Sequence, residues 1–212
     1  MKRLLLMGLL LILINATSNS QEIYARYAFA LEWEPVKNLT MELKPEIHAL
    51  SFQEPTEWLV DYGVEYDLWK FLEIGGSLRL DHEFDSKNPV YVLRYSADIT
   101  LKQDIRRFDL QFRTRYSNYT EYEEVPEYRN ALRFKGKLGY NIRKCKIDPE
   151  IFVEYYLQTP DVFISKIKYG GYLDWNLPKR HSVKFGYFFQ DYPQKKTKHI
   201  HVVDVTWSYR LK

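Results

Sequence analysis

Residues 107–116 read RFDLQFRTRY, with Phe108, Leu110, Phe112 and Tyr116 at even positions and Arg107, Asp109, Gln111, Arg113 and Arg115 at odd ones. A period of two sends successive side chains to opposite faces of a strand, so this segment has one apolar, aromatic face and one charged face. The same rule runs outward in both directions. Towards the N-terminus, Tyr91, Leu93, Tyr95, Ala97, Ile99 and Leu101 oppose Arg94, Ser96, Asp98 and Thr100, and Leu72, Ile74, Leu78 and Leu80 oppose Glu73, Ser77, Arg79 and Asp81. Before them, Trp58, Val60, Tyr62, Val64 and Tyr66 oppose Asp61 and Glu65, Leu39, Met41 and Leu43 oppose Glu42 and Lys44, and Ile23 to Trp33 oppose Arg26 and Glu32. Towards the C-terminus the pattern continues through Leu132 to Tyr140, Ile147 to Tyr155, Ile167 to Trp175, Val183 to Phe189 and Val203 to Tyr209. Helical periodicity appears nowhere in this stretch.

Strands of a soluble sandwich also alternate, but they run about 5 to 6 residues. The repeats here run about 10, the length that crosses a bilayer at a tilt. The expected fold is all-β: an antiparallel up-and-down transmembrane β-barrel of about 10–12 strands, with short periplasmic turns and longer outer loops. A secreted soluble β-barrel or sandwich that binds an apolar ligand is the alternative.

Composition removes other classes. The chain has 212 residues, and 18 Tyr, 12 Phe and 5 Trp are too many for a disordered segment. Of the net charge of +3, Lys2 and Arg3 supply two, so the remainder is too balanced for a nucleic-acid binder. Those two cations precede the apolar run Leu4 to Ile14 and the small polar residues NATSNS of positions 15–20, the signature of a secretory signal peptide cleaved after Ser20. Residues 21–212 are then one outer-membrane barrel domain. Cys145 is the only cysteine, so an intrachain disulfide is impossible.

One unit recurs at alternate strand ends: an aromatic residue, three residues of which the second is usually apolar, then lysine. Tyr66 to Lys70 (YDLWK), Tyr140 to Lys144 (YNIRK) and Trp175 to Lys179 (WNLPK) show it, and Trp33 to Lys37 (WEPVK) is looser. An aromatic at headgroup level followed by a basic turn in water marks one membrane face. The polar connections at residues 49–57, 83–89, 117–127, 158–162 and 191–198 belong to the other face. Ten crossings separate Trp33 from Tyr209, and the segment before Trp33 makes eleven. Bacterial barrels are even-stranded; an odd count makes the first and last strands parallel unless one segment is no full wall member. Pro45 and Pro149 each remove a ladder donor, and local bulges are expected there.

With these turn units, the stretches RNALRFKGKLGYNIRK (residues 129–144) and HIHVVDVTWSYRLK (residues 199–212) resemble a family of short outer-membrane barrels of the Bacteroidota, a domain of unknown function. The resemblance covers residues 22–212. It implies the cell outer membrane and this architecture, contact with membrane lipids, and insertion by the barrel assembly machinery. It brings no catalytic residues. Such barrels end in an aromatic residue, whereas this chain ends Leu211-Lys212 with Tyr209 as the nearest aromatic.

The inward set is charged. Acids concentrate at Glu42, Asp61, Glu65, Glu73, Glu150 and Glu154, and bases at Arg107, Arg113, Arg115, Arg129, Arg133 and Lys135. In a narrow barrel these must neutralise one another, as a salt-bridged filling or around a narrow pore. Trp33, Trp58, Tyr66, Tyr140, Trp175, Trp207 and Tyr209 are the candidate interfacial aromatics. No cofactor, metal or catalytic residue is expected. The alternative chemistry is a lipid hydrolase built on His48 and Ser51, which lacks a flanking motif for an activated nucleophile. His199 and His201 share a strand face, but two ligands make no metal site.

Overall fold

A computed structural model describes residues 23–84, 91–122, 127–159, 162–194 and 199–211; the leader expected over residues 1–20 lies outside them. Each alternating segment is a strand: β1 (Ile23–Val36), β2 (Leu39–Leu50), β3 (Glu54–Trp69), β4 (Leu72–Glu83), β5 (Tyr91–Ile105), β6 (Phe108–Tyr122), β7 (Glu127–Tyr140), β8 (Ile147–Thr159), β9 (Phe163–Asn176), β10 (His181–Asp191) and β11 (His199–Arg210). Every strand pairs with its sequence neighbours, and the sheet closes on itself through β1 and β11.

Closure settles the parity question. Eleven strands form the wall among the described residues, and β1 lies parallel to β11 from Ile23↔His201 to Glu32↔Arg210. All other neighbours are antiparallel hairpin pairs, so the expected all-antiparallel ring is corrected at this one seam. With an odd number of up-and-down strands, the first and last must point the same way.

Strand lengths also depart from expectation. They run from 11 residues in β10 to 16 in β3, because the polar ends paired in the ladder instead of looping out. Ala49↔Pro55 and Leu50↔Glu54 continue the β2–β3 pairing into the expected loop of residues 49–57, leaving only residues 51–53 as the turn. The β5–β6 and β6–β7 pairings likewise extend through Tyr91↔Tyr122 and Glu121↔Glu127. At the opposite end Lys37-Asn38, Lys70-Phe71 and Arg106-Arg107 are two-residue turns, with Asn38 at φ 68° and Arg106 at φ 58°. Left-handed residues let a tight hairpin turn match the twist of its strands. Lys144, Lys179 and Arg180 adopt the same region, whereas the described glycines all lie in strands. This end is called the basic end below.

The expected proline bulges are absent. Pro45 pairs with Val60 and Pro149 with Leu173, both in unbroken register. Instead the β1–β2 pairing skips between Ala28↔Glu46 and Leu31↔Leu43 without a shift, and the β7–β8 pairing stops at Glu150. The lost donor interrupts a ladder; it does not require an extra residue.

Around the outside, Phe112, Ile99, Leu78, Ile151, Phe185 and Trp207 are all substantially exposed. Inside, Asp61, Asp81, Asp98, Arg133 and Glu154 are buried. The polarity of a soluble protein is inverted.

Candidate functional site

The wall sets the interior chemistry by register. β6 and β7 place Arg113 opposite Lys135 and Arg115 opposite Arg133, two like-charged rows that repel across the ladder. The flanking strands supply the counter-charge: β5 puts Asp98 beside Arg115, and β8 puts Glu154 beside Lys135. Arg115 forks onto Asp98, with Nη2 2.9 Å from Oδ1 and 2.6 Å from Oδ2, and Nε 3.1 Å from Oδ2. Arg113 stands 4.0 Å from Glu154.

Similar pairs continue around the ring. Arg79 donates from Nε and Nη2 to Asp61, at 2.8 and 2.5 Å, and Arg94 donates to Asp81 at 2.8 Å. Lys102 bridges Glu73 and Asp67, and Glu150 takes Lys137 at 3.4 Å and Lys184 at 3.3 Å. Glu42 is half-buried on the inner face of β2, beside Lys44 and Glu46. Glu65 lines the cavity nearer the basic end. Two bases stand elsewhere. Arg107 occupies the exposed Arg106-Arg107 turn and is corrected out of the lumen, because the β5–β6 hairpin reverses one residue before the alternation would have placed it in the wall. The Arg129 side chain lies outside the described residues.

Two cavities in the lumen are lined by described residues. The one nearer the basic end holds about 270 Å³ among Glu65, Glu73, Lys102, Lys137, Glu150 and Lys184. The other, towards the far end, holds about 550 Å³ and reaches from Asp204 and Tyr172 to the exposed Glu83. Arg113 and Lys135 line both and stand where the two adjoin.

One wall of the larger cavity was not anticipated. Phe152, Phe188, Ile200 and Val202 form a buried apolar cluster inside the barrel, with Tyr24, Tyr172 and Tyr192 packed against it. Glycines make the room. Gly170 faces Phe188 and Gly186 faces Tyr172 across β9–β10; a Cβ on Gly170 would meet Phe188 Cβ at 2.4 Å, and one on Gly186 would meet the Tyr172 ring at 2.3 Å. Cations then cover the rings: Lys166 and Arg133 lie 4.4 and 4.8 Å from the Tyr156 centroid, Lys168 lies 5.1 Å from Tyr156 and 5.7 Å from Phe188, and Arg26 lies 5.3 Å from Phe188. Such placements over a ring face are attractive. Tyr187-Phe188-Phe189 is apolar at every position, and Ile200, Val202 and Val203 fall on both faces of β11, so alternation does not single out the inward side.

His48 faces this cavity, but both ring nitrogens are engaged, Nδ1 with Glu57 at 2.7 Å and Nε2 with Glu46 at 2.5 Å. Ser51 sits in the β2–β3 turn at φ 48°. The ring is thus held by two carboxylates and has no nitrogen left to activate a hydroxyl. His199 bonds Asp191 and His201 bonds Tyr187, and no group of three or more metal-ligating side chains gathers among the described residues. Cys145 is an exposed free thiol in the β7–β8 turn.

Of the aromatics singled out, Trp33, Tyr66, Tyr140, Trp175, Trp207 and Tyr209 lie towards the basic end, and Trp58 lies at the far end, stacked on His82 at 5.5 Å. Trp207 packs edge-on to Phe29 at 5.4 Å, and Tyr140 packs on Phe108 at 5.0 Å. Trp69 and Phe71, stacked at 5.8 Å beside the Lys70-Phe71 turn, join the same ring of aromatics.

Fold and interior together define a class: closed eleven-stranded β-barrels with an apolar outside and an ion-paired lumen. The chain belongs to the family described as protein of unknown function (DUF2490), which matches residues 16–200 and bears out the resemblance to a domain family without an assigned role. No curated protein matches it.

Proposed function

We propose that this protein is a small outer-membrane barrel that serves as a structural or narrow-pore component, without a catalytic role. Its basic turns face the periplasm, it touches outer-membrane lipids, and the barrel assembly machinery inserts it after removal of residues 1–20. The observation that carries this reading is the inversion of polarity. Among the described residues, exposed Ile99, Leu78 and Phe112 have no second sheet or helix to cover them, while the charges face inward in pairs. A closed barrel satisfies its backbone internally, which a bilayer demands. The aromatic ring beside Lys37, Lys70, Arg106 and Lys179 suits an interface between hydrocarbon and water.

The ion-paired side chains that fill the lumen from facing strands support a lumen closed to free diffusion. The test is the full chain in planar bilayers, alongside carbonate extraction of membranes from the producing cells. Retention in the membrane with a silent bilayer is expected. A soluble periplasmic monomer would defeat the membrane placement, and steady wild-type conductance would defeat the closed lumen.

A further inference from the structure

The larger cavity carries a charge excess that its own wall does not neutralise. Its lining holds ten arginines and lysines against five carboxylates. Most of the cations on the β2–β6 side are matched: Asp61, Asp81 and Asp98 take Arg79, Arg94 and Arg115, and Glu46 takes Lys44 at 3.3 Å. The excess collects on the other side. Lys166 and Lys168 of β9 and Arg26 of β1 make no ion pair among the described residues; what holds them is the ring faces of Tyr156 and Phe188. Lys168 touches both rings, so these cations stand together, with Arg133 on the same Tyr156 ring. Two acids lie beside these cations in the ladder: Asp204 is the partner of Arg26 across the β1–β11 seam, and Glu154 is the partner of Lys168 across β8–β9 but also serves Arg113 and accepts from Tyr156 at 3.1 Å.

Like charges held this close in a confined space repel, and repulsion of that kind is relieved by a bound anion. The aromatic wall positions these side chains without supplying a counter-charge, a place that a bound anion can take. A volume of about 550 Å³ falls in the range of small-molecule sites. Because the wall is closed, a ligand reaches the chamber along the lumen.

We infer that this chamber binds a small polyanion carrying phosphate or sulfate groups, held by Lys166, Lys168 and Arg26. The site depends on the closed barrel and not on its membrane placement, so binding in detergent stands or falls separately from bilayer conductance.

The probe is sodium tripolyphosphate, titrated calorimetrically into the folded full-length mature protein in detergent at fixed ionic strength. Saturable binding is expected, and K166Q/K168Q should weaken it more than about tenfold, as for loss of two hydrogen bonds to a charged group. K166R/K168R should retain it, which separates charge from packing if the glutamine variant folds poorly. K179Q, at the basic end, should leave it unchanged. Competition by phosphatidylglycerol in the micelles would assign the same site to a lipid headgroup, and absence of competition would assign it to a soluble polyanion. No binding by the wild type, equal binding by K166Q/K168Q with its fold intact, or equal uptake of neutral maltose would overturn the inference.

Discussion

Asp98 and Ile99 are neighbours with opposite surroundings, and together they state the physics of this wall. Asp98 is buried under the Arg115 fork, while Ile99 is 55% exposed on the outside. Removing the carboxylate leaves Arg115 beside Arg113 and Arg133 without its partner, so Asp98→Ala should destabilise the barrel by about 3–5 kcal/mol in denaturant unfolding. A loss near zero would mean that water neutralises Arg115 well enough. Ile99 lies near the middle of β5, and Ile99→Arg should cost about 2–4 kcal/mol in lipid, whereas Leu110→Arg, three residues into β6, should cost about 0–1 kcal/mol. Equal tolerance would remove the depth gradient that lipid imposes. At this scale the sequence is a good guide to facing and a poor one to partners. Period two assigned Asp61, Arg113 and Glu154 inward, but only register decides that Asp98 meets Arg115. Arg107 shows the boundary: one residue separates a wall position from a turn, and alternation alone does not mark where a hairpin reverses.

At the scale of elements, the parallel seam and the glycine-aromatic pairs do most to shape the interior. The seam predicts cross-links in a Cys145→Ser background. Ile23→Cys should link to His201→Cys, and Leu31→Cys to Tyr209→Cys, since both pairs share one parallel register. An antiparallel seam would instead join position 23 to position 209. Gly170 predicts a packing effect: Gly170→Ala puts a methyl against Phe188 and the Tyr187 carbonyl, and such overpacking costs about 1–3 kcal/mol in the same unfolding assay. The turn units made most hairpins legible, because an aromatic, an apolar residue and lysine recur where strands meet the basic end, although Leu101 to Arg106 (LKQDIR) lacks the aromatic. The apolar cluster inside was not legible. Where Tyr187-Phe188-Phe189 is apolar at every position, alternation carries no contrast, and only the small Gly170 opposite reveals which ring turns inward.

For the whole molecule, closure is what converts eleven two-faced strands into one object. Each strand alone would expose an apolar face and an unpaired edge. The ring removes the edges, gathers the charges where they meet each other, and leaves the apolar faces to whatever surrounds the barrel. Strand β6 reports on that surrounding, because its inward and outward positions alternate without interruption. Single nitroxide labels at positions 108–118, in Cys145→Ser protein reconstituted into bilayers, report collision with oxygen, which concentrates in hydrocarbon, and with a nickel chelate, which stays in water. A lipid-facing wall gives oxygen accessibility that alternates with period two, high at positions 112, 114 and 116 and low at 111, 113 and 115. Even positions that collide freely with the nickel chelate, or a profile without alternation, would contradict it.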